Sequence, residues 1–169
     1  IATFAGKCKK EVEGYEVEIL DTRKTMPGYR YLDKYAVRMG GGSNHRFGLY
    51  DMVMIKDNHI QVAGGINEAV VAIRTKIPKS IKIEVETTNL DQVQQALAAD
   101  VDIIMLDNMS SKMMKKAVEL INNRAKIEAS GNMTLKRIRK VAATGVNYIS
   151  IGALTHSVKA LDISQRIID

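Results

Sequence analysis

Between Asp21 and Ile60 the chain concentrates Arg23, Lys24, Arg38, Arg46 and Lys56 with two of its three histidines, His45 and His59. Cations at this density, set among Gly28, Gly40, Gly41, Gly42 and Gly48, predict loops that let guanidinium and backbone groups close on an anion. Their placement separates them from an ordinary solvated surface. TRKT follows the apolar run Val17 to Leu20, and Lys56 follows Met52 to Ile55, so both cationic groups fall just past expected strand ends. In parallel α/β folds ligands bind there. Further along, Glu86, Asp107, Gly131 and Gly152 recur at or beyond the ends of successive apolar runs, about one βα unit apart. Glu86 and Asp107 are hard oxygen donors suited to Mg²⁺ beside a phosphate-rich ligand, and Glu84 alternates onto the same strand side, so both glutamates stay open. Ser130–Gly131–Asn132 and the IGALTHS stretch from Ile151 to Ser157 can offer backbone N–H groups to a phosphate.

These residues need a scaffold that brings strand ends to one mouth. A helix is expected over Thr3 to Glu13, a strand over Val17 to Leu20, and a short helix over Leu32 to Met39 ended by the glycines at 40 to 42. Met52 to Ile55 reads as the second strand, followed by a helix capped by Asn67 with apolar positions Ala69, Val70, Ile73 and Ile77. Strands over Ile81 to Val85, Val101 to Leu106, Lys126 to Ala129 and Val146 to Ile151 then alternate with helices through Leu90, Val93 and Leu97, through Met114, Val118 and Ile121, and through Ile138, Val141 and Ala142. Leu161 to Ile168 is open between helix and strand. Alternation of this kind implies a parallel sheet with right-handed crossovers. Eight such units take roughly 250 residues. With 169 residues and six clear strands, the expected fold is α/β, a TIM-like barrel that is incomplete, in one domain over residues 1–169.

Composition narrows the function classes. The net charge of +6 admits nucleic acid, an acidic membrane face or a small polyanion as partner, but aromatics are only 5% and there is no Trp to build a stacking platform. No nucleic-acid motif is present, and acids at 86 and 107 would repel a phosphate backbone, so no nucleic-acid partner is expected. No apolar run approaches the roughly 20 residues of a membrane span, which with the lack of a signal-peptide layout predicts a soluble, cytoplasmic protein. The single Cys8 excludes an internal disulfide and is expected to be packed.

The motifs DTRKT, GGSNHRFGLYD and IKDNH, continued by IEVET, IIMLDNM, IEASGNM and YISIGALTHS, together resemble the quinolinate phosphoribosyltransferases over nearly the whole chain. The resemblance implies transfer of the phosphoribosyl group of phosphoribosyl pyrophosphate to quinolinate with decarboxylation, giving nicotinate mononucleotide, pyrophosphate and CO₂. It implies that Arg23, His45, Arg46 and Lys56 hold the two carboxylates of quinolinate and that Lys24 lies near the phosphoribosyl donor. Glu86 and Asp107 match acids around the ribose and the pyrophosphate-bound Mg²⁺. Ser130, Gly131, Gly152 and His156 match the cradle of the 5′-phosphate. Family members also carry an N-terminal α+β domain that nothing here matches, and a further substrate-binding arginine that arrives from a neighbouring subunit. A homodimer with a shared active site is therefore the implied assembly, and the isolated chain is expected to turn over poorly. Other readings are a related pyrophosphorylase for a different acid, or a non-catalytic anion-binding or nucleic-acid-binding module.

Overall fold

A computed structural model describes residues 1–168. Six strands form one sheet in the order β1-β6-β5-β4-β3-β2: β1 Glu18–Leu20, β2 Val53–Ile55, β3 Ile83–Thr87, β4 Ile103–Asp107, β5 Lys126–Ser130 and β6 Tyr148–Ser150. Every adjacent pair is parallel. The outer strands β1 and β2 do not pair with each other, so the barrel is open between them, as its length predicts. Ser43 extends the β1 edge into that gap through a single parallel bridge to Leu20.

Helices α1 Ala2–Glu11, α2 Arg30–Met39, α3 Asp57–Ala63, α4 Ile66–Arg74, α5 Leu90–Ala98, α6 Ser111–Ile121, α7 Leu135–Ala142 and α8 Ala153–His156 complete the chain. Their apolar stripes and the outward strand residues Ile55, Val85, Ile104, Leu106, Ile127, Ala129 and Ile149 form one buried core. Cys8 is part of it, with its thiol pushed up to about 11 by burial and then by Glu11, so it is packed rather than reactive. Because side chains alternate along a strand, the opposite set, Met54 and Lys56, Glu84 and Glu86, Met105 and Asp107, Glu128 and Ser130, points inward. Parallel sheets are ordinarily apolar on both faces. The acids of this inner face therefore call for a local explanation.

Several expectations shift. Asn67 does not cap α4: Gly65 holds that position and Asn67 lies in the first turn. The helix α3 was hidden in IKDNH, and its start is fixed by a capping box in which the Lys56 N–H donates to His59 Nδ1 at 3.0 Å, giving His59 a structural role. Thr134 sits at the N-cap of α7 without a side-chain cap bond, whereas Asn89 and Ser110 do cap α5 and α6. Residues 158–168 form neither helix nor strand. Gly42 is required by packing: a Cβ there would meet Val37 Cγ1 at 2.9 Å and the Ile19 carbonyl at 3.2 Å, while Gly41 takes a left-handed turn conformation with φ +82°. Neither they nor Gly28 and Gly48 line the inward cavity.

Candidate active site

The strand ends β1 to β6 surround one cavity of about 730 Å³. Its cationic wall is Arg23 and Lys24 after β1, His45 and Arg46 in the segment that crosses the open side, and Lys56 after β2. Its acidic wall is Glu86 on β3 and Asp107 at the end of β4, and its far wall is Ser130, Gly131, Gly152 and His156. Asn108, Asn132 and Thr134 also line it; Asn132 belongs to the expected Ser130–Gly131–Asn132 stretch, whereas no chemical signal marked Asn108 or Thr134 as lining the site. Arg38 is elsewhere, on α2 over the ring of Tyr35.

The segment Asn44–Arg46 is held by buried polar contacts. Asp21, at the end of β1, takes an ion pair from Lys34 Nζ at 2.5 Å, a hydrogen bond from Asn44 Nδ2 at 2.5 Å and another from the His45 N–H at 2.9 Å. Burial outweighs these donors and raises the Asp21 carboxyl above its ordinary value. Lys34 Nζ also donates to the His45 carbonyl at 2.9 Å. On the other side of the opening, Arg46 Nη1 donates to the Met52 carbonyl at 2.9 Å, so this arginine spans the unpaired edge between β1 and β2. Burial and the neighbouring charge of Arg23 lower the Arg46 pKa, and Glu84 and Asp51 oppose that shift. The Nε of Arg23 is buried without a partner among the described residues, and neither Arg23 nor Arg46 is in a salt bridge among them. Two adjacent guanidinium groups without a protein carboxylate suit a small acidic ligand with planar carboxylates.

Below them, His45 Nε2 lies 3.1 Å from a carboxylate oxygen of Glu84 and 3.1 Å from one of Glu128. Both glutamates are fully buried. Depth along the strand separates Glu84 from Glu86: the former lies under the cavity against His45, the latter lines it. Burial acts on His45 to lower its pKa, but hydrogen bonds and charge from Glu128 and Glu84 raise it to about 10. Glu84 is raised to about 7 by burial and then by the charge of Glu128. A His and two glutamates are also a donor set for a metal ion. The Arg46 backbone nitrogen lies 2.8 Å from His45 Nδ1, so the ring is packed on both of its nitrogens.

At the mouth, Lys56 Nζ pairs with Glu86, joining two residues expected in opposite halves of the site. Asp107 accepts from Asn108 Nδ2 at 2.8 Å. Gly131 has a φ of +87°, a left-handed conformation that disfavours a side chain, and a Cβ there would run into the carboxamide of Asn108. Gly152 packs against the His156 ring, where a Cβ would meet Cδ2 at 2.8 Å. Thr155 Oγ1 donates to the Lys24 carbonyl at 2.7 Å and couples this wall to the loop after β1.

The class of the protein is thus an α/β barrel domain, open between β1 and β2, whose strand ends carry facing cationic, acidic and glycine-lined walls. The match can be made closer: residues 1–166 fit the family model for the quinolinate phosphoribosyl transferase C-terminal domain, and the chain belongs to that family. It is 49% identical over 171 residues to a Synechocystis protein named "Probable nicotinate-nucleotide pyrophosphorylase [carboxylating]", covering 99% of this chain and 58% of that protein. It is 53% identical over 167 residues to a chloroplastic nicotinate-nucleotide pyrophosphorylase (carboxylating) of Oryza sativa subsp. japonica, covering 88% of this chain and 45% of the relative. The solved nicotinate-nucleotide pyrophosphorylase of Francisella tularensis superimposes with a TM-score of 0.91 at 48% identity, over 96% of this chain and 58% of that one. The chain thus spans about half the length of the relatives it matches. No helix among the described residues is long and apolar enough to cross a membrane.

Proposed function

We propose that this chain supplies the barrel of an enzyme that joins quinolinate to the ribose of phosphoribosyl pyrophosphate and releases pyrophosphate and CO₂. The observation that carries the reading is the pair Arg23 and Arg46, two guanidinium groups on one cavity wall without carboxylate partners among the described residues, opposite a glycine-lined wall. The relatives' names favour the same reaction. Arg23 and Arg46 bind the two carboxylates of the pyridine, with Lys56 adding charge at the rim. Ser130, Gly131, Gly152 and His156 seat the 5′-phosphate, and fixed placement of the pyridine nitrogen against the ribose carbon lowers the barrier by removing lost motion. As the bond to pyrophosphate breaks, Lys24 stabilises the departing anion while an acid of the opposite wall favours the positive charge that builds on the ribose. Departure of CO₂ from the carbon beside the new bond leaves an electron pair that the positive alkylated ring stabilises until a proton from water takes the carboxylate's place.

Glu86 and Asp107 are the residues suited to hold Mg²⁺. They offer two hard carboxylates on neighbouring strands, and Mg²⁺ completes such sets with phosphate oxygens and water. Bound there with the donor, the ion would neutralise charge on the leaving pyrophosphate. The functional unit we propose is a homodimer with a shared active site in the cytoplasm. Its support is a group of exposed apolar side chains beside the mouth, Tyr29, Tyr31, Leu32, Phe47, Leu49 and Tyr50. Arg30 ties this surface to the site by donating to the Arg23 and Phe47 carbonyls at 3.1 and 3.4 Å.

The test is Arg46→Lys in the complete natural polypeptide. The ammonium keeps charge but loses the fork, so the quinolinate KM should rise roughly ten- to hundredfold with little change in donor KM. Equal losses for both substrates would count against the assignment.

A further inference from the structure

Arg137 lies in the first turn of α7, a turn that holds no acid. A cation there opposes the partial positive charge of the helix N-terminus, so the position is unfavourable for a residue that serves the helix alone. Its guanidinium has no salt bridge among the described residues. It is half-buried and donates to backbone instead: Nη1 to the Gly131 carbonyl at 2.9 Å and the Asn132 carbonyl at 3.4 Å, and Nη2 to the Met109 carbonyl at 2.6 Å. One planar fork therefore ties the turn after β5 to the turn after β4.

Peptide geometry says what this clamp does. Every peptide bond is trans, and in a trans peptide the N–H points away from the carbonyl that precedes it. With the carbonyls of Gly131 and Asn132 drawn to Arg137, the N–H groups of Asn132 and Met133 turn to the opposite side. Gly131, Asn132 and Met133 line the cavity and Arg137 does not, so that side is the cavity. None of these three N–H groups donates to an acceptor among the described residues. Gly131 and Asn132 are both left-handed, with φ of +87° and +51°, and successive N–H groups in such a turn form a concavity for an anion. Asn132 Nδ2 pins the same turn from the other loop by donating to Asn108 Oδ1 at 2.9 Å. An anion seated on these N–H groups also offsets the positive charge that Arg137 and the start of α7 leave unbalanced.

We propose that Arg137 is a positioning residue for the 5′-phosphate of the donor. It does not touch the phosphate; it holds the Gly131 and Asn132 carbonyls away from the cavity so that the N–H groups of the turn face the ligand. This rests on the reading of the glycine-lined wall as the phosphate seat. Without the fork the two peptides are free to rotate and present carbonyl oxygens to an anion.

The experiment uses the complete natural polypeptide, unaltered and as Arg137→Met and Arg137→Lys. Ribose 5-phosphate and quinolinate are titrated separately into each, and urea midpoints are measured alongside. Ribose 5-phosphate affinity should fall roughly tenfold or more in both variants, as for a ligand whose contacts are misplaced, with quinolinate affinity unchanged. Arg137→Lys keeps the charge and the aliphatic stem, so its urea midpoint should stay near that of the unaltered protein, but an ammonium lacks the fork that serves both loops. If Arg137→Met fails to fold, Arg137→Lys decides the matter. Ribose 5-phosphate affinity in Arg137→Lys equal to that of the unaltered protein would overturn the proposal, and so would parallel losses for both ligands. An unaltered protein that does not bind ribose 5-phosphate would overturn the phosphoribosyl reading itself, and this proposal with it.

Discussion

Thr155 donates its hydroxyl to the Lys24 carbonyl at 2.7 Å, so the first turn after β6 holds the first turn after β1 across the join between those strands. The hydroxyl is buried, and Lys24 lines the cavity beside Gly152. Thr155→Val keeps the shape and deletes the donor, leaving the carbonyl without this partner. It should cost about 1 kcal/mol in urea unfolding and weaken pyrophosphate binding, whereas Thr155→Ser should restore both. Loss of stability with intact pyrophosphate affinity would show that the bond supports the fold but not Lys24.

The His45 cluster makes a pH prediction whose sign follows from proton binding. His45 is raised from 6.5 to about 10 and Glu84 from 4.5 to about 7, so the folded state binds these protons more tightly than the unfolded one. Their stabilisation is complete below the unfolded values and is lost as pH rises through the folded values. Between about pH 7 and 10 His45 should therefore lower stability with rising pH, by at most about 1.4 kcal/mol per pH unit for one proton, the Glu84 contribution having been lost by about pH 7. Urea midpoints measured across that range should decline. In His45→Gln the decline should flatten, and an equal slope in both proteins would place its origin elsewhere.

Strand and helix alternation was legible because its periodicities are local. Val85, Leu106 and Ala129 face the helices while Glu86, Asp107 and Ser130 face the cavity, and the two-residue repeat carries that information in the sequence itself. Depth along a strand was not legible. Glu84 and Glu128 share the inner face with the cavity acids, and only the packing of the His45 ring against both distinguishes them. The Asp21–Lys34–Asn44 contacts escaped for a related reason: their partners lie 13 and 23 residues apart, beyond any local pattern. That the glycines at 40 to 42 lie outside the cavity was not legible either, because composition shows that small residues are needed without showing whether a ligand or another backbone comes close.

Glu86 reaches Lys56 across the mouth, and Asp107 shares its carboxylate with Asn108. In the proposed site both acids must also face Mg²⁺, so the metal competes with the Lys56 ammonium and the Asn108 amide. Glu86→Gln and Asp107→Asn in the complete polypeptide should each raise the Mg²⁺ concentration for half-maximal turnover, since an amide keeps the oxygen but loses the charge. Removing Mg²⁺ with a chelator should stop turnover in the unaltered protein. Unchanged Mg²⁺ dependence in both variants would take these acids out of the metal site.

The apolar surface beside the mouth gives the last prediction. Tyr31, Leu32, Leu49 and Tyr50 are 67%, 55%, 68% and 74% exposed, an arrangement that favours association when several lie together. A residue donated mutually between two copies requires an isologous two-fold contact, which places the same surface on both partners. The 169-residue chain alone should therefore self-associate and turn over slowly, while a polypeptide of the relatives' length should sediment as a dimer and turn over well. Leu32→Lys with Tyr50→Lys inserts like charges into that contact. The pair should shift the longer polypeptide toward monomer in sedimentation and reduce turnover at low protein concentration, with partial recovery as concentration rises. A longer polypeptide that is fully active as a monomer would remove the shared-site assembly.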